Sequence, residues 1–225
     1  MKKELIVTGD GSTSLRIPEW DEQYHSKHGA IREAEYVFIL QGLEYYISTF
    51  GNKEPLNILE IGFGTGLNAL LTIKYAIDNN LSIDYKGLEA YPVSPDFISK
   101  LNYPEKISGQ EMEAVFEEIH EIPWKEKNRI NPNFSLTKEE KFFQDFSEEN
   151  SFDIVYFDAF GARVQPELWE PPILEKMHAA LRPNGVFVTY SAKGSVRRAL
   201  KALGFDVDKI PGPPGKREML RAVKS

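Results

Sequence analysis

The stretch Ile58-Leu59-Glu60-Ile61-Gly62-Phe63-Gly64-Thr65-Gly66-Leu67-Asn68 places an apolar run, a glycine turn and the start of a helix in succession. Glycine allows positive φ and close approach of the backbone to a ligand, so a strand-to-helix turn of this composition reads as a binding loop of an open α/β sheet. The dinucleotide fingerprint needs a small residue five positions after the first glycine. That position is Leu67, and the spacing is G-x-G-x-G, which disfavours a nicotinamide dinucleotide. Glu60, two residues before Gly62, suits a cationic amino group, and the backbone N–H groups of the turn suit a carboxylate. The bland alternative is an ordinary structural loop, since a lone glycine turn is a weak motif.

Outward from this turn, short apolar runs alternate with longer helical stretches. Leu56–Ile61 precedes a helix over 67–77, and Ile83–Leu88 precedes a helix opened by Ser94-Pro95-Asp96. Further strands are expected at Asn133–Phe143, Phe152–Phe157 and Val186–Tyr190, with helices over about 166–181 and 194–203. Alternation of this kind implies a parallel sheet with crossover helices. Phe205–Ile210 and Glu218–Val223 follow with no helix between them and read as an antiparallel hairpin at the end of the sheet. That combination is the mark of the Rossmann-like S-adenosylmethionine-dependent methyltransferase fold. Before it, Leu5–Thr8 and Ser12–Leu15 flank Gly9-Asp10-Gly11 as a β-hairpin, and an amphipathic helix over 30–50 stops at Gly51-Asn52. The expected division is an extension, 1–50, and a methyltransferase domain, 51–225. Residues 102–131 are less regular, with a helix near 111–118, and read as a cap.

The acids at strand ends complete the candidate cofactor site. Glu89, 29 positions after Glu60, is placed to accept both ribose hydroxyls, and Asp145, read as ending the third strand, is placed against the adenine amino group. Either acid is also an ordinary strand-end or turn residue. Asp158, delivered by Phe152–Phe157, is the catalytic candidate: an alkylamine arrives mostly as ammonium, and a carboxylate attracts it and accepts its proton. A helix cap or a cofactor contact is the alternative for Asp158. Phe160, Tyr156 and Trp169 are candidates to stack on a base, with core packing the competing reading. The four histidines show no metal-ligand spacing, and no G-x-S-x-G or P-loop is present.

Composition sets the context. The chain has 225 residues, no cysteine and a net charge of −7, and no apolar run approaches the ~20 residues of a membrane span. The expectation is a cytoplasmic chain without disulfides and without a membrane role. The charge is uneven. Residues 176–225 carry 11 basic against three acidic residues, a net +8, leaving −15 for the rest. Such asymmetry points to a basic interaction face, although exposed helices also collect Lys and Arg.

The motifs FDIVYFDAF (152–160), PELW (166–169), LRPNGVFVTYSAKGSVRRALKALGF (181–205) and GKREML (215–220) resemble the methyltransferase domain of the MnmC family of tRNA 5-methylaminomethyl-2-thiouridine biosynthesis enzymes. Upstream, DEQYHSKHGA (21–30), YVFILQGL (36–43) and IGFGTGLN (61–68) are similar to it as well. The resemblance implies methyl transfer from S-adenosylmethionine to the amine of 5-aminomethyl(-2-thio)uridine at the tRNA wobble position. It implies Asp158 as the catalytic aspartate. It also implies a cofactor site built on Glu60, Gly62, Phe63, Gly64, Gly66, Glu89 and Asp145, with Tyr24 and Asn68 as additions. Two-domain members carry an FAD-dependent oxidase; the present chain shows no such region, so no FAD is expected, and the substrate would arrive as the free amine. The aspartate is followed here by Ala-Phe-Gly-Ala-Arg rather than Gly-Phe-Ala-Pro-Ala, which leaves the base pocket open. With tRNA as partner, Lys193, Arg197, Arg198, Lys201, Lys216 and Arg217 become candidate contacts to phosphates of the anticodon arm.

Two other functions fit parts of the pattern. A spermidine-synthase-type aminopropyltransferase shares the fold and an amine nucleophile, but its cofactor lacks the carboxylate that the glycine turn would receive. A non-catalytic tRNA-binding scaffold would keep the fold without needing Asp158. Oligomerisation leaves no readable mark in the sequence.

Overall fold

The computed structural model describes residues 2–107 and 110–225. At the N-terminus β1 (Glu4–Val7) pairs antiparallel with β2 (Thr13–Ile17), and β2 with the two-residue β3 (Glu22–Gln23), forming a small separate sheet. Asp10 closes the hairpin by accepting from Ser12 N at 3.0 Å and Thr8 Oγ1 at 2.8 Å. These bonds, outweighing its partial burial, hold its carboxyl down at about 2. A continuous helix follows: α1 (Ala30–Ala34), a π-helical stretch (Glu35–Glu44) and α2 (Tyr45–Phe50), ended by Gly51 at φ 84°. Gly42 lies flat on the main sheet, where a Cβ would stand 3.0 Å from Val188 and 3.1 Å from Tyr156. This helix is therefore a layer of the core. Only the three-stranded sheet stands outside it.

The remaining elements are β4 (Leu56–Ile61), α3 (Leu67–Asn79), β5 (Ile83–Glu89), α4 (Pro95–Ile98), α5 (Tyr103–Ile107), α6 (Gln110–Glu121), β6 (Lys127–Asn131), β7 (Phe134–Glu140), β8 (Phe152–Phe157), α7 (Pro171–Ala180), β9 (Leu181–Thr189), α8 (Gly194–Ala202), β10 (Phe205–Pro211) and β11 (Glu218–Lys224). They form one eight-stranded sheet in the order β10-β11-β9-β8-β4-β5-β7-β6. The five central strands are parallel, and antiparallel hairpins close both edges. One face is covered by residues 30–50, α3 and α6 with Phe38, Tyr46, Leu70 and Phe116; the other by α7 and α8 with Trp169, Leu174, Val196 and Leu200. Strands buried on both faces read as largely apolar runs, as β4 and β8 do apart from Asn57, Glu60 and Asp153. This is the methyltransferase architecture anticipated from the alternation.

Three boundaries differ from the sequence reading. β6 lies inside the stretch read as a cap; it is an edge strand of largely polar, partly exposed residues, so it lacks the apolar alternation that marks a strand. The third parallel strand stops at Glu140, because Lys141 N donates to Glu89 O at 3.0 Å and the chain then leaves the sheet for a 3-10 turn at Phe143–Asp145. β9 begins at Leu181, five residues earlier than expected.

The end of the sheet opposite the glycine turn is fixed by Asp153, fully buried in β8. It accepts from Asn57 N at 3.0 Å, Arg182 Nη1 at 2.9 Å and Tyr46 Oη at 3.3 Å, with Lys53 Nζ at 3.4 Å. A buried carboxylate is tolerated only when compensated in this way. Arg182→Met is expected to cost roughly 2–3 kcal/mol of unfolding free energy, less than a fully uncompensated charge because Lys53 remains. Urea unfolding of the variant measures it, and a change under 0.5 kcal/mol would show that Arg182 is not a significant partner.

Candidate functional site

In this strand order the direction of winding reverses between β4 and β8, and ligands of such sheets bind beyond the carboxyl ends at that point. A cavity of about 770 Å³ opens there. Its floor is the Gly62–Thr65 turn, one wall is Glu89 to Tyr91 with Phe142 to Gln144, and another is Asp158 to Gly161. The N-terminal sheet supplies the roof through Trp20 to His28.

The two strands meet closely at this end. Asp158 N donates to Ile61 O at 2.9 Å, and a Cβ on Gly62 would stand 2.7 Å from Asp158 O. With φ at 95°, Gly62 is required on both counts. Gly64 N donates to Glu89 Oε2 at 2.9 Å, and Tyr91 N to Glu89 Oε1 at 2.9 Å, so Glu89 clamps the turn while each oxygen keeps accepting capacity. Gly66 precedes α3 at φ 74° and faces His120 rather than the cavity. Phe63 reaches the cavity edge but is 3% exposed and packs edge-on against His120 and Trp124.

Asn68 in the first turn of α3 ties the centre together. Its Nδ2 donates to Glu60 Oε1 at 2.8 Å and to Asp158 Oδ2 at 2.9 Å. Both amide hydrogens are thereby used, and Oδ1 is left a buried acceptor without a partner. Burial drives the Asp158 carboxyl up, against the Asn68 hydrogen bond; Glu33 raises it further and Lys216 lowers it, leaving it at about 7. Burial likewise raises Glu60 well above the carboxylate range, with Asp158 adding to the shift.

Several candidates are thus located differently from their sequence reading. Glu60 is fully buried behind Asn68 and does not line the cavity, whereas Asn68 does. Asp145 is exposed and off the cavity, because the strand ended five residues earlier; Phe142, Phe143 and Gln144 occupy that wall instead. Tyr24 lines the cavity, with its ring edge-on to Phe160 at 5.0 Å. Phe160 also meets Trp20 edge-on at 5.7 Å, whereas Tyr156 and Trp169 are core residues.

The basic tail is largely spent on internal contacts. Lys176 donates to Phe146 O, Arg182 to Asp153, and Lys224 to His178 O and Leu181 O. Lys209 pairs with Glu218, and Arg221 with Asp208. Lys216 turns inward to Glu33 and the cavity, away from the other basic residues expected to contact phosphates. Among the described residues Lys193, Arg197, Arg198, Lys201 and Arg217 have no ion-pair partner, and Arg198, Lys201, Lys193 and Arg217 are exposed.

Sequence reasoning missed Trp20, Glu33, Tyr91, Phe142, Tyr190 and Arg163. Arg163 Nη2 donates to Trp20 O at 2.8 Å, Asp21 O at 2.7 Å and Glu22 Oε2 at 3.0 Å, fastening the roof to the loop after Asp158. Its one sign in the sequence is Ala-Arg at 162–163, where the resembled motif has Pro-Ala. No group of three or more metal-ligating side chains is assembled among the described residues, and no helix there is long and apolar enough to cross a membrane.

The model of a family described as S-adenosyl-L-methionine-dependent methyltransferase matches residues 109–225. The chain belongs to that family. Its similarity to MnmC proteins, first apparent in the motifs, is borne out along the chain. The tRNA 5-methylaminomethyl-2-thiouridine biosynthesis bifunctional protein MnmC of Aromatoleum aromaticum is 30% identical over 96% of this methyltransferase and 34% of its own length. That of Idiomarina loihiensis is 29% identical over 89% and 35%. The chain thus spans about a third of the curated relatives. The crystal structure of MnmC2 from Aquifex aeolicus superposes with a TM-score of 0.76 at 26% identity, covering 98% of this methyltransferase and 70% of that chain.

Removing the Asn68 hydrogen bond takes away the main force opposing burial of Asp158. Asn68→Ala is therefore expected to move the Asp158 titration upward from about 7. Carboxyl-carbon NMR of the variant reads this directly, and a downward or absent shift would contradict it.

Proposed function

We propose that this methyltransferase transfers a methyl group from S-adenosylmethionine to the amine of 5-aminomethyl(-2-thio)uridine at the wobble position of tRNA. The observation that carries the reading is a carboxylate, Asp158, held at the cavity end of β8 with an acidity near neutral. The names of the MnmC relatives support the substrate.

The cavity fits the cofactor on its own chemistry. The Gly62–Thr65 turn offers close backbone approach to a carboxylate, and Asn68 Oδ1 is an unpartnered acceptor for an ammonium. Glu89 has capacity left for ribose hydroxyls. Tyr91 and Phe142, edge-on at 5.7 Å and 55% and 45% exposed, offer an apolar slot for adenine, with Gln144 beside it. When bound, the cofactor supplies an electrophilic methyl group on a sulfonium.

Asp158 does the remaining work. As a carboxylate it attracts the substrate ammonium and takes one of its protons; the freed lone pair forms the N–CH3 bond as the S–CH3 bond breaks. Phe160, flanked by the edges of Trp20 and Tyr24, is the surface for the uracil ring, and the roof held by Arg163 limits water. Lys193, Arg197, Arg198, Lys201 and Arg217 are the phosphate contacts of this reading.

The carboxylate form is the active one, so kcat/KM is expected to rise with pH through about 7. Asp158→Asn should lower turnover by about 10²–10⁴-fold while retaining cofactor affinity. The same variant should be somewhat more stable at pH 8: a carboxyl whose native pKa is raised destabilises the fold as pH rises from its unfolded value through about 7, and Asn removes that cost. The primary test is transfer from labelled S-adenosylmethionine to tRNA lacking its terminal wobble methylation, followed by nucleoside mass analysis. A methylated 5-aminomethyluridine is the expected product; cofactor binding with no transfer to tRNA would reject the substrate. Arg197→Glu with Arg198→Glu should weaken tRNA binding and spare cofactor binding, and equal loss of both would reject these phosphate contacts.

A further inference from the structure

The loop between β10 and β11 directs Lys216 into the cavity. Its Nζ lies 2.7 Å from Glu33 Oε1 and 3.8 Å from the centroid of the Tyr190 ring. Three separate parts of the chain meet here: Glu33 belongs to α1, Tyr190 follows β9, and Lys216 lies just before β11. All three line the cavity that Asp158 lines.

The two receiving groups are fixed independently of the lysine. Glu33 Oε2 accepts from Ser26 N at 2.8 Å, and Tyr190 Oη donates to Ala159 O at 2.8 Å, one residue beyond Asp158. A carboxylate oxygen beside the face of an aromatic ring is a cation-binding arrangement, stronger where water is partly excluded. Glu33 is 11% exposed in its side chain, and Lys216 is 33% exposed. The receptor is therefore buried while its occupant still has a path to solvent.

We infer that Glu33 and Tyr190 form a cation subsite of the transfer centre, occupied by the Lys216 ammonium in the free protein and yielded to the substrate ammonium. The inference rests on the amine substrate proposed above. Exchange of one ammonium for another keeps the charge of the cavity constant, so neither Glu33 nor Asp158 is left without a counter-charge during entry. It also makes the site selective. A neutral 5-substituent of the same size cannot replace Lys216 without stranding the Glu33 carboxylate, a penalty that buried ionised groups incur when a partner is removed. Lys216 is on this account a specificity-determining residue that competes with substrate. A latch holding the β10–β11 loop to α1 is the structural alternative.

The two accounts separate in a titration of the S-adenosylhomocysteine-saturated protein with benzylammonium, an aminomethyl arene, and with benzyl alcohol as the neutral control. Lys216→Met, which keeps the aliphatic stem, is expected to bind benzylammonium about three- to tenfold more tightly than wild type. Glu33→Gln, which retains an acceptor for Ser26 N, should bind it correspondingly more weakly. Lys216→Arg should stay near wild type. Benzyl alcohol should not discriminate among the four proteins, and S-adenosylhomocysteine affinity should be equal in all, which excludes misfolding. Unchanged or weaker benzylammonium binding by Lys216→Met would overturn the inference, as would parallel changes for the alcohol. If benzylammonium binding follows the expected order but no methyl reaches tRNA, the subsite stands and the tRNA substrate falls.

Discussion

One side-chain amide organises the centre of this protein. Asn68 sits between two carboxyls that arrive on neighbouring parallel strands, Glu60 on β4 and Asp158 after β8, and spends both of its hydrogens on them. Two acids this close repel when ionised, and burial penalises each charge. The amide relieves both costs without neutralising either group. Because its hydrogens are fixed, its oxygen has a fixed direction as well, and α3 can begin only where that geometry is met. The glycine at 62 belongs to the same constraint: a side chain there would push β4 away from the backbone of Asp158 and break the bridge.

The N-terminal sheet depends on this centre from the other side. Arg163 gives one guanidinium nitrogen to two backbone carbonyls and a carboxylate of the turn at 20–22, and the aromatic edges of Trp20 and Tyr24 meet Phe160. The loop after Asp158 is therefore held between the rigid end of the sheet and a roof of separate origin. Exposed charged contacts contribute little individually, but a guanidinium serving three acceptors also determines orientation.

Much of this was legible in the sequence, for local reasons. The turn after β4, the placement of Asp158 and the closing antiparallel hairpin follow from spacing and apolar runs, which tertiary packing reinforces rather than overrides. The motifs that resemble MnmC proteins carried the proposal of a substrate class, which no periodicity could supply. What escaped reading depends on contacts between distant segments. Glu60 looked like a ligand because its side chain's direction and the intrusion of Asn68 are invisible in a string of letters. Lys216 looked like one more surface cation because its partner, Glu33, is more than 180 positions away. Asp145 was misplaced through a strand boundary, the weakest kind of sequence inference. β6 was overlooked because an edge strand of polar residues has no period to detect.

The cavity is assembled from several distant pieces of chain. The floor comes from β4, β5 and the start of α3, whereas the roof comes from residues 20–28. The roof is tied to the rest by Arg163, by ring edges on Phe160, by Thr13 with Asn102 and by Ser26 on Glu33. A substitution in residues 20–28 is consequently felt beside Asp158 through Phe160 and beside Lys216 through Glu33.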